Sequence, residues 1–238
     1  MKLVVFDVDG TLTDTSRVDN ECFACAFTEL LAVELDANWH DCPHVTDSGI
    51  TQHIFRRQYE RDPDEVEISG VRDCFMRLLR GRHESDASHF AQISGAAEML
   101  SRLSAQPEWV IAVATGCWKE SAGFKLAAAG IDLDSFPAAF ADDSITREGI
   151  VETAVSRAKS HYGHSHFEKV VSVGDGLWDV RTARNLNLPF LGIAGGERAA
   201  ALRENGARHV IEDFNDFAGF FQYLHDAEVP DSAKATAV

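Results

Sequence analysis

Positive charge is scarce in this chain. Its 238 residues hold 22 Lys and Arg against 38 Asp and Glu, a formal net charge of −16. That balance argues against nucleic acid or an anionic membrane surface as a main partner. It leaves phosphorylated small molecules open, because a metal and local donors can override the mean field. No apolar run approaches the ~18 residues of a membrane-spanning helix. The chain enters a strand at once, so no secretory signal is expected. Cysteine is sparse and odd in number, at five. Cys22 and Cys25 have metal-like spacing but lack a second pair at zinc-site spacing, and are expected to line one face of a helix. A reduced, cytoplasmic protein is the expectation. Internal repeats are missing too.

What is present is core material: 45% hydrophobic residues, with 15 Phe and four Trp. That suffices for one domain plus an insertion, or for two small domains. Lys2 to Phe6 is a β-forming run with almost no polar break, as in a buried strand of a parallel sheet. Asp7-Val8-Asp9-Gly10-Thr11 follows it directly. Strand alternation would aim Asp7 and Asp9 in roughly one direction. Two such acids repel unless a cation or a shared proton intervenes, and Mg²⁺ is the simple resolution.

Residues 16–90 carry helical periodicity and no convincing strand. Helices are expected over 21–35, from Thr46 or Asp47 to Tyr59, and over 70–79. Strands and helices then alternate. Apolar runs at 109–114, 169–173, 189–194 and 209–212 predict strands, with a short one at 138–141. Helices are expected over 95–103, 121–129, 150–161, after Asp179 to about Leu186, and over 199–205 and 214–225. The fold class is therefore α/β. A Rossmann-like parallel sheet core, residues 1–15 and 91–226, is flanked by helices and interrupted by an all-helical insertion, residues 16–90. Residues 227–238, small and polar, are expected to form a disordered tail.

Three strand ends then share one sheet edge: Asp7-x-Asp9, Thr115-Gly116, and Asp175 with Asp179. Ligands bind at that edge in open α/β sheets. Each is weak alone, since Asp175 or Thr115 could equally cap a helix. Their joint placement is the signal.

These stretches, Val4–Asp14, Val113–Gly116 and Val173–Asp179, resemble the haloacid dehalogenase-like (HAD) hydrolases, mostly Mg²⁺-dependent phosphatases. The insertion resembles that family's helical cap. Thr46-Asp47 with Ile50, and residues 95–98, look like the phosphoglycolate-phosphatase-like branch. The resemblance implies Asp7 as nucleophile, forming an aspartyl-phosphate. It implies Asp9 as general acid and then base. Asp7, Asp175 and the main-chain carbonyl of Asp9 would ligate Mg²⁺. Asp179 would orient a ligand or a lysine. Thr115, with the Gly116 amide at a helix start, would hold phosphoryl oxygens. The family also places a lysine near the nucleophile. Residues 142–148 hold none, leaving Lys119, Lys125 and Arg147 as candidates. Lys125, followed by Leu126 as in related phosphatases, is the expected choice, within reach of Asp7 or Asp179.

Arg17, Arg56 and Arg57 could meet a second anionic group of the substrate, or simply pair on helix faces. Cys117 could be a reactive thiol, but an Asp nucleophile leaves it no catalytic part. The expected function is hydrolysis of a small phosphorylated metabolite. A sugar phosphomutase and a catalytically inactive phosphate-binding or interaction module are the alternatives. Intact acids at 7, 9 and 175 argue against the inactive module.

Overall fold

The computed structural model describes residues 1–35, 39 and 42–231. Strands β1 (Lys2–Phe6), β2 (Trp109–Ala114), β3 (Ala138–Ala139), β4 (Lys169–Gly174), β5 (Phe190–Ile193) and β6 (His209–Ile211) form one sheet. All the pairings are parallel, in the order β3-β2-β1-β4-β5-β6. β1 lies at the centre, with Val4 opposite both Ile111 and Val171. The strand order reverses between β1 and β4. Crossovers leave these two strands in opposite directions there and open a crevice at their carboxyl ends.

Alternation along β1 divides the core. Val4 and Phe6 pack with Met99, Leu100 and Leu103 of α4 (Ala96–Ser104) and with Phe220 and Leu224 of α9 (Phe217–Asp226). Leu3 and Val5 pack on the other face against Ile150, Ala154 and Ala158 of α6 (Arg147–Tyr162). Each fully buried side chain of this kind contributes roughly 1.5–3 kcal/mol, so the central strand is anchored from both sides. α5 (Lys119–Ala128), α7 (Leu177–Asn185) and α8 (Gly196–Glu204) complete the crossovers.

Between β1 and α4 the chain forms α1 (Ser16–Leu31), α2 (Asp47–Tyr59) and α3 (Glu65–Ser85), then a 3-10 turn at Ala87–Phe90. Phe23, Phe27, Ile54, Phe55, Phe75 and Leu79 give these helices a core of their own. Trp118 and Ala141, from loops after β2 and β3, join that core. The chain leaves and re-enters side by side: Thr13 bridges Gln92, and the Asp14 amide donates to Ala91 at 2.8 Å.

The structure moves several boundaries. α1 begins at Ser16, earlier than expected, because its first turn is polar and shows no apolar period. α3 is twice its expected length. A capping box between Asp64 and Glu67 starts it, and its polar ends face solvent. Cys22 is buried but Cys25 is exposed, so they do not share a buried face. The segment expected to be a tail is partly packed. Ala227 is buried and Glu228 bridges Phe190, while residues 232–238 lie outside the described residues. Among the described residues, no helix is long and apolar enough to cross a membrane.

Candidate active site

The crevice at the β1/β4 switch point opens into a cavity of about 420 Å³. Asp7, Asp9, Thr115, Gly116 and Asp175 line it, so the expected strand-end residues do converge. Asp179 and Lys125 lie behind this wall, bonded to groups that line it.

Asp7 continues β1 by one hydrogen bond, its amide donating to Val173 at 2.9 Å. The chain then coils: the amides of Thr11, Leu12 and Thr13 all donate to the Val8 carbonyl. This turn breaks the expected alternation, and the two carboxylates serve different clusters. Gly10 permits the coil at φ +75°, and a Cβ there would lie 2.0 Å from Asp175 Oδ2. Glycine is thus required both by the backbone and by the close approach of Asp175.

The first cluster is Asp7, Asp175 and Asp179, with oxygens within 4.8 Å of one another. Asp179 is fully occupied: its Oδ1 accepts from Arg147 Nη1 at 2.8 Å and its Oδ2 from the Gly176 amide at 2.9 Å. Asp7 Oδ1 and Asp175 Oδ1 are buried and accept no hydrogen bond. Arg147 Nη1 stands 3.5 Å from Asp7 Oδ1, and Arg198 Nη1 lies 3.3 Å from Asp175 Oδ2. Burial pushes Asp7 up to about 7, with Arg147 opposing and Asp179 and Asp9 adding to the rise. Burial, then Asp179 and Asp7, hold Asp175 well above the carboxylate range. Two buried acids, each with an unsatisfied oxygen, fit a hard divalent cation. Such an ion would satisfy both and bring their pKa values down.

The second cluster is built on Lys125, which is fully buried. Its Nζ donates to Asp9 Oδ2 at 2.6 Å and also to Asp19 Oδ1, and lies 3.1 Å from Cys117 Sγ. Burial works against the ammonium, but Asp19 and Asp9 more than offset it and raise its pKa well above normal. Burial would likewise raise Asp9, but Lys125, the Cys117 thiol and the Thr15 hydroxyl together lower it. The Cys117 thiol itself is pushed well up by burial and then by Asp9. That is opposite to the shift a reactive thiol needs.

The expected place of Lys125, beside Asp7 or Asp179, is therefore not where it lies. Arg147 holds that position. Lys125 leans from the last turn of α5 toward α1, where Asp19 waits on a stretch that reads as a polar linker. Thr146 caps α6 by accepting from the Gly149 amide at 3.1 Å, which sets Arg147 at the first helical position. Arg147 Nε also donates to the Val45 carbonyl at 2.9 Å. A Cβ on Gly116 would come within 2.8 Å of both Arg147 Nη2 and that carbonyl, so this glycine makes room for the arginine. Lys119 is exposed, its amide donating to Asp142 at 2.6 Å.

Thr115 is buried, its hydroxyl accepting from the Cys117 amide at 3.2 Å. α5 starts only at Lys119, so Gly116 precedes the helix rather than opening it. Asp47, expected as a possible cap of α2, serves another helix. Thr46 caps α2, while Asp47 Oδ2 accepts from the Trp118 amide at 2.8 Å. Sequence reasoning missed Asp19, Asp47 and Arg198 as cavity residues. The signal available for Asp47 was an acid at the head of an apolar helical period; Asp19, in a polar first turn, offered none.

A family model for haloacid dehalogenase-like hydrolases matches residues 1–187. Among curated proteins no match was found. Solved structures with the same fold include a hydrolase from Pseudomonas syringae, at 19% identity and TM-score 0.70, covering 93% of this chain and 98% of that one. A CbbY mutant from Rhodobacter sphaeroides in complex with xylulose-(1,5)bisphosphate matches at 19% identity and TM-score 0.65, covering 90% and 95%. A predicted phosphoglycolate phosphatase from Haemophilus somnus 129PT matches at 17% identity and TM-score 0.56, covering 93% and 98%. At these identities the likeness is one of fold.

Proposed function

The chain belongs to the haloacid dehalogenase-like hydrolases, and from that premise and the geometry above we propose that it is a Mg²⁺-dependent phosphomonoesterase acting on a small phosphorylated metabolite. The observation that carries this reading is the pair of buried, unsatisfied oxygens on Asp7 and Asp175 at the switch point, with a guanidinium beside them. Asp7, Asp175 and the main-chain carbonyl of Asp9 would hold Mg²⁺. The ion would supply charge neutralisation for the phosphoryl group.

The protein's own groups then divide the work. Asp7 attacks phosphorus and carries the phosphoryl group as an aspartyl-phosphate. Asp9, taking up a proton when the like-charged phosphate binds beside it, gives that proton to the leaving oxygen and regains one from the attacking water. Lys125, Cys117 and Thr15 hold its carboxylate in position. Arg147 takes the part that the family gives to a lysine: Asp179 and the Val45 carbonyl hold it where phosphoryl charge develops. Thr115 and Gly116 complete that wall. Residues 16–90 act as a cap, hinged where Thr13 pairs with Gln92, and exclude water during transfer. A sugar phosphomutase would use the same Asp7 and Asp9 with a hydroxyl as acceptor. A structure of the same fold described as a putative β-phosphoglucomutase from Bacteroides vulgatus, at 14% identity and TM-score 0.67, is the observation favouring that second reading.

Hydrolysis of p-nitrophenyl phosphate should require Mg²⁺, vanish in EDTA and be absent in Asp7→Asn. Full activity in a metal-free preparation would refute the assignment.

A further inference from the structure

If the phosphoryl group reacts at Asp7, the leaving group fills the rest of the cavity. Its walls there come from α1, α2 and Trp39. Phe23, Trp39 and Ile50 supply apolar surface, and Asp19, Asn20 and Asp47 supply polar groups. At about 420 Å³ the cavity suits a leaving group of sugar or amino-alcohol size.

The charge of this wall is one-sided. Among the described residues two cations line the cavity, Arg147 and Arg198. Arg147 is held by Asp179, Asp7 and the Val45 carbonyl, and Arg198 faces Asp175. Lys125 is sealed between Asp9 and Asp19 and does not reach the cavity. The candidates from the sequence lie elsewhere: Arg17 pairs with Glu21 and Arg56 with Asp62, while Arg57 is exposed outside the lining. Outside the described residues, 36–38, 40 and 41 include His40 but no Lys or Arg, and 232–238 include Lys234.

A second anion placed here would lose hydration and meet like charge. Burial already pushes Asp19 up to about 6 and Asp47 well above its usual range. An anionic neighbour would push both further, whereas a hydroxyl or ammonium would donate to them.

We infer that the substrate is a phosphomonoester whose leaving group carries no second anionic group, being an alcohol with hydroxyl or amino donors and an apolar face. This rests on the phosphatase reading above.

Three compounds of matched size test it: 2-hydroxyethyl phosphate, phosphoethanolamine and phosphoglycolate. Glucose 6-phosphate and glucose 1,6-bisphosphate form a second pair. Wild-type enzyme with Mg²⁺ gives kcat/KM, and calorimetry on Asp7→Asn with Mg²⁺ gives binding without turnover. The hydroxyl and ammonium compounds should exceed phosphoglycolate by about tenfold or more in both, which is about 1.4 kcal/mol. The monophosphate should exceed the bisphosphate likewise. Equal or better binding of phosphoglycolate or the bisphosphate overturns the inference. If Arg198→Ala then removed that binding, Arg198 would be the second anion's partner. An intact binding order without hydrolysis of any compound supports the inference and rejects the phosphatase reading alone.

Discussion

Removing the charge of Asp7 should stabilise the metal-free protein while destroying its activity. Asp7 is 6% exposed, its Oδ1 has no hydrogen-bond donor, and burial holds its pKa near 7 against an ordinary 3.8. Below pH 4 the folded and unfolded chains both carry the proton and nothing is lost. Between about 4 and 7 the unfolded chain releases it while the native state retains it, so stability falls as pH rises. Above 7 the loss is complete, on the order of 4 kcal/mol. Asp7→Asn keeps the shape and removes this titration. Arg147 keeps its 2.8 Å partner Asp179, so the substitution does not orphan the guanidinium. For a chain of this length 1 kcal/mol moves Tm by about 2–4 °C. In EDTA at pH 8 the variant should therefore melt on the order of 10 °C above wild type, with the gap closing toward pH 4. Saturating Mg²⁺ should also narrow it, because the ion stabilises the wild-type carboxylate. Calorimetric melts over this pH range, with EDTA or Mg²⁺, provide the test. A variant that melts at or below wild type in EDTA at pH 8 would refute the reasoning.

Arg147→Ala should lower kcat by roughly a hundred- to thousandfold, the usual effect of removing a donor aimed at transition-state charge; unchanged kcat would remove it from the site. Lys125→Ala should cost about 3–5 kcal/mol of stability, read as a fall in the urea midpoint, because it leaves Asp9 and Asp19 as buried acids without their shared cation. A midpoint equal to wild type would show that the pair is not held as described. Lys119→Ala, on an exposed helix end, should match wild type in both assays.

The sheet was legible because buried parallel strands are continuous apolar runs that end in glycine and acid. Lys2–Phe6 and Trp109–Ala114 were read with their observed bounds, and β4 to within one residue. The strand-end acids followed, since parallel connectivity places every strand's carboxyl end on one edge. The helical insertion was legible as a block but not in its details. The first turn of α1, with Asp19, carries no apolar period. Local pattern does not separate Lys119, Lys125 and Arg147. Lys125 sits on the right helix, but its partner is decided by where α1 packs. Arg147 meets Asp179 only because α6 starts just beyond a loop that Thr46 and Asp47 help to hold. Thr46 Oγ1 donates to the Ile145 carbonyl at 2.9 Å, and the Asp47 amide to Gly116 at 2.7 Å. Contacts of that range leave no trace in local pattern.

That Asp7 carries the phosphoryl group can be tested by trapping the aspartyl-phosphate. Enzyme turning over p-nitrophenyl phosphate with Mg²⁺ can be quenched in acid and treated with borohydride, which reduces an acyl phosphate to the alcohol. Peptide mapping should find homoserine at position 7, dependent on both substrate and Mg²⁺. Reduction at another carboxylate, or turnover with no trapped residue and full activity in Asp7→Asn, would contradict the account.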